Sequence, residues 1–230
     1  EPAPAAQLSR PPDSATGRLN GNGRRFADLE SFITGPSNHL AWAAAEAASR
    51  RPGEMSPLVI HGPTGGGKTH LLEGVRTAAR RRHRGMTAVY LTAEQFTSSF
   101  LHALRGSGLP SFRRKYRGVD LLILDDLQFF SGKRCTQIEL LYTVDTRLRE
   151  GRQLVLAADR SPAELLDVGP ELATRLASGM VCRIEPADHE TRVGIATAMA
   201  RRLAVKVPED VITYIASNLT SHARELSGAL

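Results

Sequence analysis

The decapeptide HGPTGGGKTH, His61 to His70, sets three consecutive glycines ahead of a Lys-Thr pair. From Gly62 to Thr69 it fits the pattern G-x-x-x-x-G-K-[ST] without a mismatch. A loop that wraps phosphate with its own backbone N–H groups leaves little room for side chains, and Gly65, Gly66 and Gly67 remove them. Lys68 then reaches the β- and γ-phosphates, the Thr69 hydroxyl binds Mg²⁺, and the N-terminus of the next helix adds partial positive charge. Gly62, Pro63, Thr64 and His70 complete the candidate cradle. The chemistry this predicts is the holding of a nucleoside triphosphate. A glycine-rich turn without function is the competing reading, and the strand before the loop and the helix after it argue against that.

A second group of residues narrows the chemistry. LLILDDLQF places Asp125 and Asp126 at the carboxyl end of an apolar strand. Adjacent carboxylates there are costly unless something cationic or catalytic uses them. Asp125 is expected to hold the metal through its water shell, and Asp126 to polarise an attacking water. Asp-Asp also starts turns, but the four apolar residues before it favour the metal reading. Asp159, in LAADRSP, ends the fourth strand, which is expected to lie between the loop strand and the carboxylate strand. There it can sense the γ-phosphate or the water, or simply begin a turn.

The elements that must position these groups alternate along the chain. Five apolar runs read as buried strands: PLVI (57–60), TAVYL (87–91), VDLLILD (119–125), RQLVLAA (152–158) and MVCRI (180–184). Helix-like stretches separate them, which predicts an α/β fold with a five-stranded parallel sheet flanked by helices. Ser37 is expected to cap a helix through LAWAAAEAAS. After Pro186 the strands cease. Ile195, Met199 and Leu203 fall at helical spacing, Pro208 opens a second helix bearing Val211, Ile212, Ile215 and Leu219, and Ser221 caps a third. The predicted organisation is a linker or disordered segment over 1–25, a nucleotide-binding core over 26–185, and a small, truncated all-helical lid over 186–230. The chain opens on Glu1 and is read as a fragment or processed product.

Composition bounds the rest. At 41% hydrophobic residues the chain can bury a core, and with 5% aromatics that core is mainly aliphatic. A net charge of +6 favours acidic partners, nucleic acid among them. The basic residues cluster in two runs, Arg76 to Arg84 and Arg113 to Arg117, either of which is also what a solvated helix face looks like. Two cysteines, Cys135 and Cys182, lack metal-ligand spacing and suit a reducing, cytoplasmic setting. No apolar run is long enough to span a bilayer.

Taken together these segments resemble the AAA+ ATPases, and within them the bacterial replication initiators. The resemblance runs from about Phe26 to Leu230. It rests on FITGPSNHLAWAAA, GGGKTHLL, FRRKYRGVDLLILDDLQFFSGK, AADRSPAE, PELATRLASGM and RELSGAL. It implies that the segment around Ile33 to Asn38 packs near adenine and that Asp159 is the first sensor. Arg175 would be the arginine finger offered to a neighbouring subunit's γ-phosphate, and Arg224 the second sensor from the lid. An Arg suits both tasks because its planar fork keeps its charge and meets phosphate oxygens in pairs.

The pattern also departs from the family. Glu171 stands where a second Arg is usual, and Leu101 and Cys135 stand where an apolar residue and an Arg touch single-stranded DNA. Lys133 and Arg134 can supply that phosphate contact instead. The resemblance further implies an ATP/ADP and Mg²⁺ cycle, head-to-tail self-assembly, single-stranded DNA as a partner, and a replicative helicase or regulators as others. Origin duplex would be read only through a helix-turn-helix domain that this chain lacks.

Turnover is expected to be slow. Many brisk relatives carry Glu at the Asp126 position, and Asp is one methylene shorter; misplacement by about 1 Å can cost on the order of 100-fold. ATP would then act mainly as the form that licenses assembly at an origin to promote unwinding, with hydrolysis as the off switch. The alternatives are an accessory AAA+ regulator or helicase loader, a small-molecule P-loop kinase, and a purely structural nucleotide binder.

Overall fold

The five apolar runs form the strands β1 (Leu58–His61), β2 (Ala88–Thr92), β3 (Leu121–Asp125), β4 (Gln153–Ala158) and β5 (Met180–Arg183). They make one parallel sheet in the order β2-β3-β4-β1-β5, so β4 does lie between the loop strand and the carboxylate strand. The computed structural model describes residues 26–229 apart from Ser107 and His222, and the side chains of Leu166, Arg224 and Ser227 are also outside it. The linker expected over 1–25 lies outside the described residues.

Side chains alternate across a strand, and here both faces are covered. Leu122, Leu124, Leu154 and Leu156 enter one apolar cluster; Leu121, Ile123, Val155 and Ala157 enter the other. That is why β3 and β4 read as unbroken apolar runs. The second cluster includes α1 (His39–Arg50) and α2 (Lys68–Arg82). Ala41, Ala44, Ala45 and Ala48 line one face of α1 at helical spacing and are buried. Ser37 does not cap this helix. Asn38 takes the cap position, but its amide braces the preceding loop, accepting from Gly35 N at 2.8 Å and donating to the Ile33 carbonyl at 3.1 Å.

The other face carries α3 (Ala93–Arg105), α4 (Leu109–Arg117), α5 (Arg134–Arg149) and α6 (Pro170–Ala177). The connection between β2 and β3 thus holds two helices. Its scarce aromatics are concentrated: Phe112 meets Phe96 at 5.2 Å and Tyr116 at 4.7 Å between ring centroids. The α4 basic run is not wholly a solvated face. Arg113 and Arg117 both bind the buried Glu139 of α5, at 2.9 and 2.6 Å, leaving Arg114 and Lys115 exposed.

Arg147 of α5 is fully buried and donates to five carbonyls at helix and strand ends. These are Tyr116 at 3.2 Å, Arg117 at 3.5 Å, Val119 at 2.8 Å, Asp120 at 3.1 Å and Gln153 at 2.7 Å. Burial pulls its pKa down to about 10, so it remains charged at neutral pH. Arg147→Ala removes the donor these carbonyls share and leaves a void, and should destabilise the chain by ~3 kcal/mol or more. Urea denaturation measures this, with Arg147→Lys recovering little because an ammonium cannot reproduce the fork.

Behind the sheet come α7 (His189–Arg202), α8 (Glu209–Asn218) and α9 (Ala223–Ala229). The Asp188 side chain caps α7 by accepting from Thr191 N at 2.9 Å. The third lid helix is described from Ala223, and the expected Ser221 cap turns on His222, outside the described residues. Among the described residues no helix is long and apolar enough to cross a membrane.

Candidate nucleotide-binding site

The loop leaving β1 is shaped by backbone that L side chains resist. Gly62, Gly65 and Gly67 all have positive φ. A Cβ on Gly62 would run into the Ile184 carbonyl, and one on Gly67 would sit 2.9 Å from the Phe32 ring. Lys68, buried at the start of α2, donates to the carbonyls of Gly62 at 2.7 Å and Pro63 at 2.9 Å, closing the loop on itself.

Thr69 follows, and its hydroxyl donates to Asp125 Oδ2 at 2.7 Å across 56 residues of sequence. The two residues read separately as metal ligands are therefore adjacent. Asp125 is 1% exposed, and its carboxylate also accepts from the Tyr90 hydroxyl at 2.8 Å and from Asp126 N at 2.9 Å. Asp126 adopts the left-handed conformation, φ 61° and ψ 51°, which a non-glycine residue enters only when its surroundings enforce it. Gln128 Nε2 donates to Asp126 Oδ1 at 3.1 Å, and Gln128 Oε1 accepts from Asp159 N at 3.3 Å. The Asp159 carboxylate is gripped by Arg160 at 2.8 and 2.9 Å, which holds it below the usual carboxylate range.

Beside the loop is a cavity of about 350 Å³. Ile33, Pro63, Thr64, the three glycines 65 to 67 and His70 line it, and the lid contributes Ile195, Met199 and Arg202. Ile195 and Met199, at helical spacing in the sequence, face this cavity, while α7 buries Thr191, Ala196 and Ala200 and Leu203 is 48% exposed. The Ser37 hydroxyl, also at this cavity, is buried with no hydrogen-bond partner among the described residues.

His70 Nε2 lies 3.0 Å from Ser31 Oγ and 3.1 Å from the Asp28 carbonyl. Burial pulls His70 below the usual imidazole value of 6.5 against Asp28 and Glu73, and burial together with the charge of Arg183 pulls His61 below it. The unfolded chain then binds protons more readily than the folded one. Stability contributed by the neutral rings is present above the unfolded pKa and lost as the pH falls through and below it. Thermal midpoints should decline from about pH 7.5 to about 5.5, and less steeply in His70→Asn.

The other candidates stand outside this cluster. Arg175, on α6, pairs with Asp145 of α5 at 2.8 Å and does not line the cavity. Glu171 is exposed on the same helix. Leu101 is exposed on α3, whereas Lys133 and Arg134 open α5 next to the exposed Cys135, so the three are divided between two elements. Arg224 falls within α9, and its side chain lies outside the described residues. Tyr90 and Gln128 were missed. Only the pairing of β2 with β3, which puts Tyr90 opposite Ile123, brings that hydroxyl to Asp125.

A phosphate loop after a central strand, a polar-ended strand beside it and a helical unit behind the sheet define the AAA+ class of P-loop nucleotide-binding folds. Within that class the chain belongs to the bacterial DnaA family: the family model described as the bacterial DnaA ATPase domain matches residues 24–183. The DnaA chromosomal replication initiator of Thermomicrobium roseum is 39% identical over 203 residues, covering 88% of this chain and 44% of that protein. The Thermus thermophilus DnaA is equally identical, with 47% of it covered. The chain thus spans under half the length of these curated relatives.

Domain III of Thermotoga maritima DnaA superposes with a TM-score of 0.85 at 36% identity, covering 87% of this chain and 84% of that one. A replication initiator DnaA bound to AMPPCP and single-stranded DNA gives 0.81 at 34% identity, over 91% and 64% of the two chains. A DnaC helicase loader, at 16% identity and a TM-score of 0.62, shares the fold alone.

Proposed function

We propose that this chain is the nucleotide switch of a replication initiator. It binds ATP, assembles head to tail in that form at a replication origin, engages single-stranded DNA, and hydrolyses ATP slowly to ADP and phosphate to end the assembly. Its organisation would be a linker over 1–25, the nucleotide core over 26–185 and the helical lid over 186–230, working in the cytoplasm. The single observation that carries the reading is the Thr69–Asp125 hydrogen bond of 2.7 Å at the mouth of a loop that only glycine can trace.

The residues present fit the groups they would hold. Glycines 62 and 65 to 67 leave backbone facing the phosphates, Lys68 supplies charge to them, and Thr69 with Asp125 is the oxygen pair a magnesium ion prefers. When bound, the ion offsets phosphate charge and orients the terminal group. Ile33, His70 and the lid residues Ile195 and Met199 enclose the base, and Ser37 offers it an unused hydroxyl. Asp126 polarises the attacking water, Asp159 senses the terminal phosphate, and Arg224 reaches the nucleotide from α9.

Arg175 completes a neighbouring molecule's site. Its position on α6, paired with Asp145 and outside its own cavity, supports that role. Leu101, Lys133 and Arg134 meet the DNA strand. The AMPPCP and single-stranded DNA bound by a relative at 34% identity favour this reading over the loader and kinase alternatives.

Sedimentation tests it. With ATP and magnesium the chain should form larger species that ADP does not support and that single-stranded DNA extends, releasing orthophosphate and no phosphorylated acceptor. Identical profiles in ATP and ADP would remove the assembly switch.

A further inference from the structure

We propose that Gln128 is the positioning residue that couples Asp126 to Asp159, using both ends of one amide. This rests on the reading of Asp126 as the carboxylate that polarises water. The amide donates from Nε2 to Asp126 Oδ1 at 3.1 Å and accepts at Oε1 from Asp159 N at 3.3 Å. The orientation is set by chemistry. Turned over, the amide oxygen would face a carboxylate and the NH₂ would face an N–H, so both contacts would be repulsive.

The side chain is delivered by rigid backbone. Gln128 lies in the one-turn segment Leu127–Phe130, whose flanking Leu127 and Phe130 are buried. The Phe130 carbonyl is in turn held by Gln137 Nε2 at 2.8 Å. The same turn stabilises the left-handed Asp126, since Phe129 N donates to its carbonyl at 3.0 Å and Asp126 N donates to Asp125 Oδ1 at 2.9 Å. β3 and β4 are paired as far as Leu124 and Leu156, and no ladder pair ties the two strands beyond that point. Gln128 bridges the two ends past the ladder. It thereby fixes the spacing between the candidate water-activating group and the candidate phosphate sensor, a spacing that the strand ladder no longer controls. One Asp126 oxygen is occupied by the amide, which turns the carboxylate to a defined angle.

A shift of about 1 Å in such a group can lower a rate on the order of 100-fold, so Gln128→Ala should lower single-turnover ATP hydrolysis tenfold or more. Nucleotide affinity and thermal midpoint should stay near the parent values, because the amide is outside the cavity lining and only half-buried. The test measures hydrolysis, ATP affinity and melting for Gln128→Ala, Asp126→Asn and the double variant. The proposal predicts that Gln128→Ala slows hydrolysis in the parent and adds nothing once Asp126 is changed.

If Asp126→Asn is slow but Gln128→Ala is not, the bridge is overturned and the reading of Asp126 stands. A Gln128→Ala effect that persists in the Asp126→Asn background, or that comes with lost affinity or a lower melting point, also overturns it, since the amide then serves the fold. If Asp126→Asn hydrolyses at the parent rate, the water-activating role itself fails, and the coupling fails with it.

Discussion

Replacing Lys68 with alanine should weaken ATP binding at least a hundredfold. Lys68 is the cation at the centre of the loop, and hydrogen bonds to charged groups contribute roughly 1.5–3 kcal/mol each. Two such contacts to phosphate amount to about 3 kcal/mol or more, and every 1.4 kcal/mol is tenfold in affinity. A second effect acts in the same direction. The ammonium holds the Gly62 and Pro63 carbonyls at 2.7 and 2.9 Å, so its removal also loosens the loop that must present its N–H groups. Lys68→Arg should recover little, because a planar fork does not fit between two carbonyls of a tight turn. Titration calorimetry with ATP measures the loss, and melting of the nucleotide-free variant separates the loosened loop from the missing charge. Retention of affinity within about threefold would mean that the backbone alone grips the phosphates.

Arg175→Ala should separate binding from assembly. The affinity of an isolated chain for ATP should stay near the parent value, since Arg175 stands on α6 outside the cavity. ATP-dependent oligomers should disappear, and with them the turnover that assembly adds, since an arginine finger supplies on the order of 10³–10⁵ in rate in related NTPases. The Asp145 partner does not forbid the role. The pair is exposed, with side chains 55% and 34% accessible, and such ion pairs contribute about 0–1 kcal/mol. A desolvated phosphate contact outweighs that, so the guanidinium can exchange one anion for the other. Sedimentation in ATP reads the assembly, and equilibrium binding at low protein concentration reads the affinity. Collapse of affinity in the monomer would place Arg175 on its own nucleotide and overturn the assignment.

The sheet was readable because its information is local. A strand buried on both faces must be apolar at successive positions, as in LLILD, and a loop that bends through positive φ next to a close neighbour must be glycine, as at Gly62 and Gly67. The loop and the carboxylate pair therefore stood out with no model of their contacts. Mistakes arose where a local rule had competitors. Ser37 and Asn38 are both good caps, and the loop geometry rather than the helix decided between them. Ile195 and Met199 have the spacing of a helix core, yet α7 packs through Thr191, Ala196 and Ala200 and leaves them to a cavity.

Residue types and periodicity alone determined the α/β alternation, the phosphate loop and the presence of two acidic groups after an apolar strand. Tertiary structure decided which distant groups meet: Thr69 and Tyr90 at Asp125, Gln128 between Asp126 and Asp159, Arg175 on Asp145. The reason is physical. Backbone preference and burial act on neighbours along the chain, whereas a hydrogen bond of about 3 Å depends on how strands are ordered and how far each terminus diverges, and no local pattern encodes that distance.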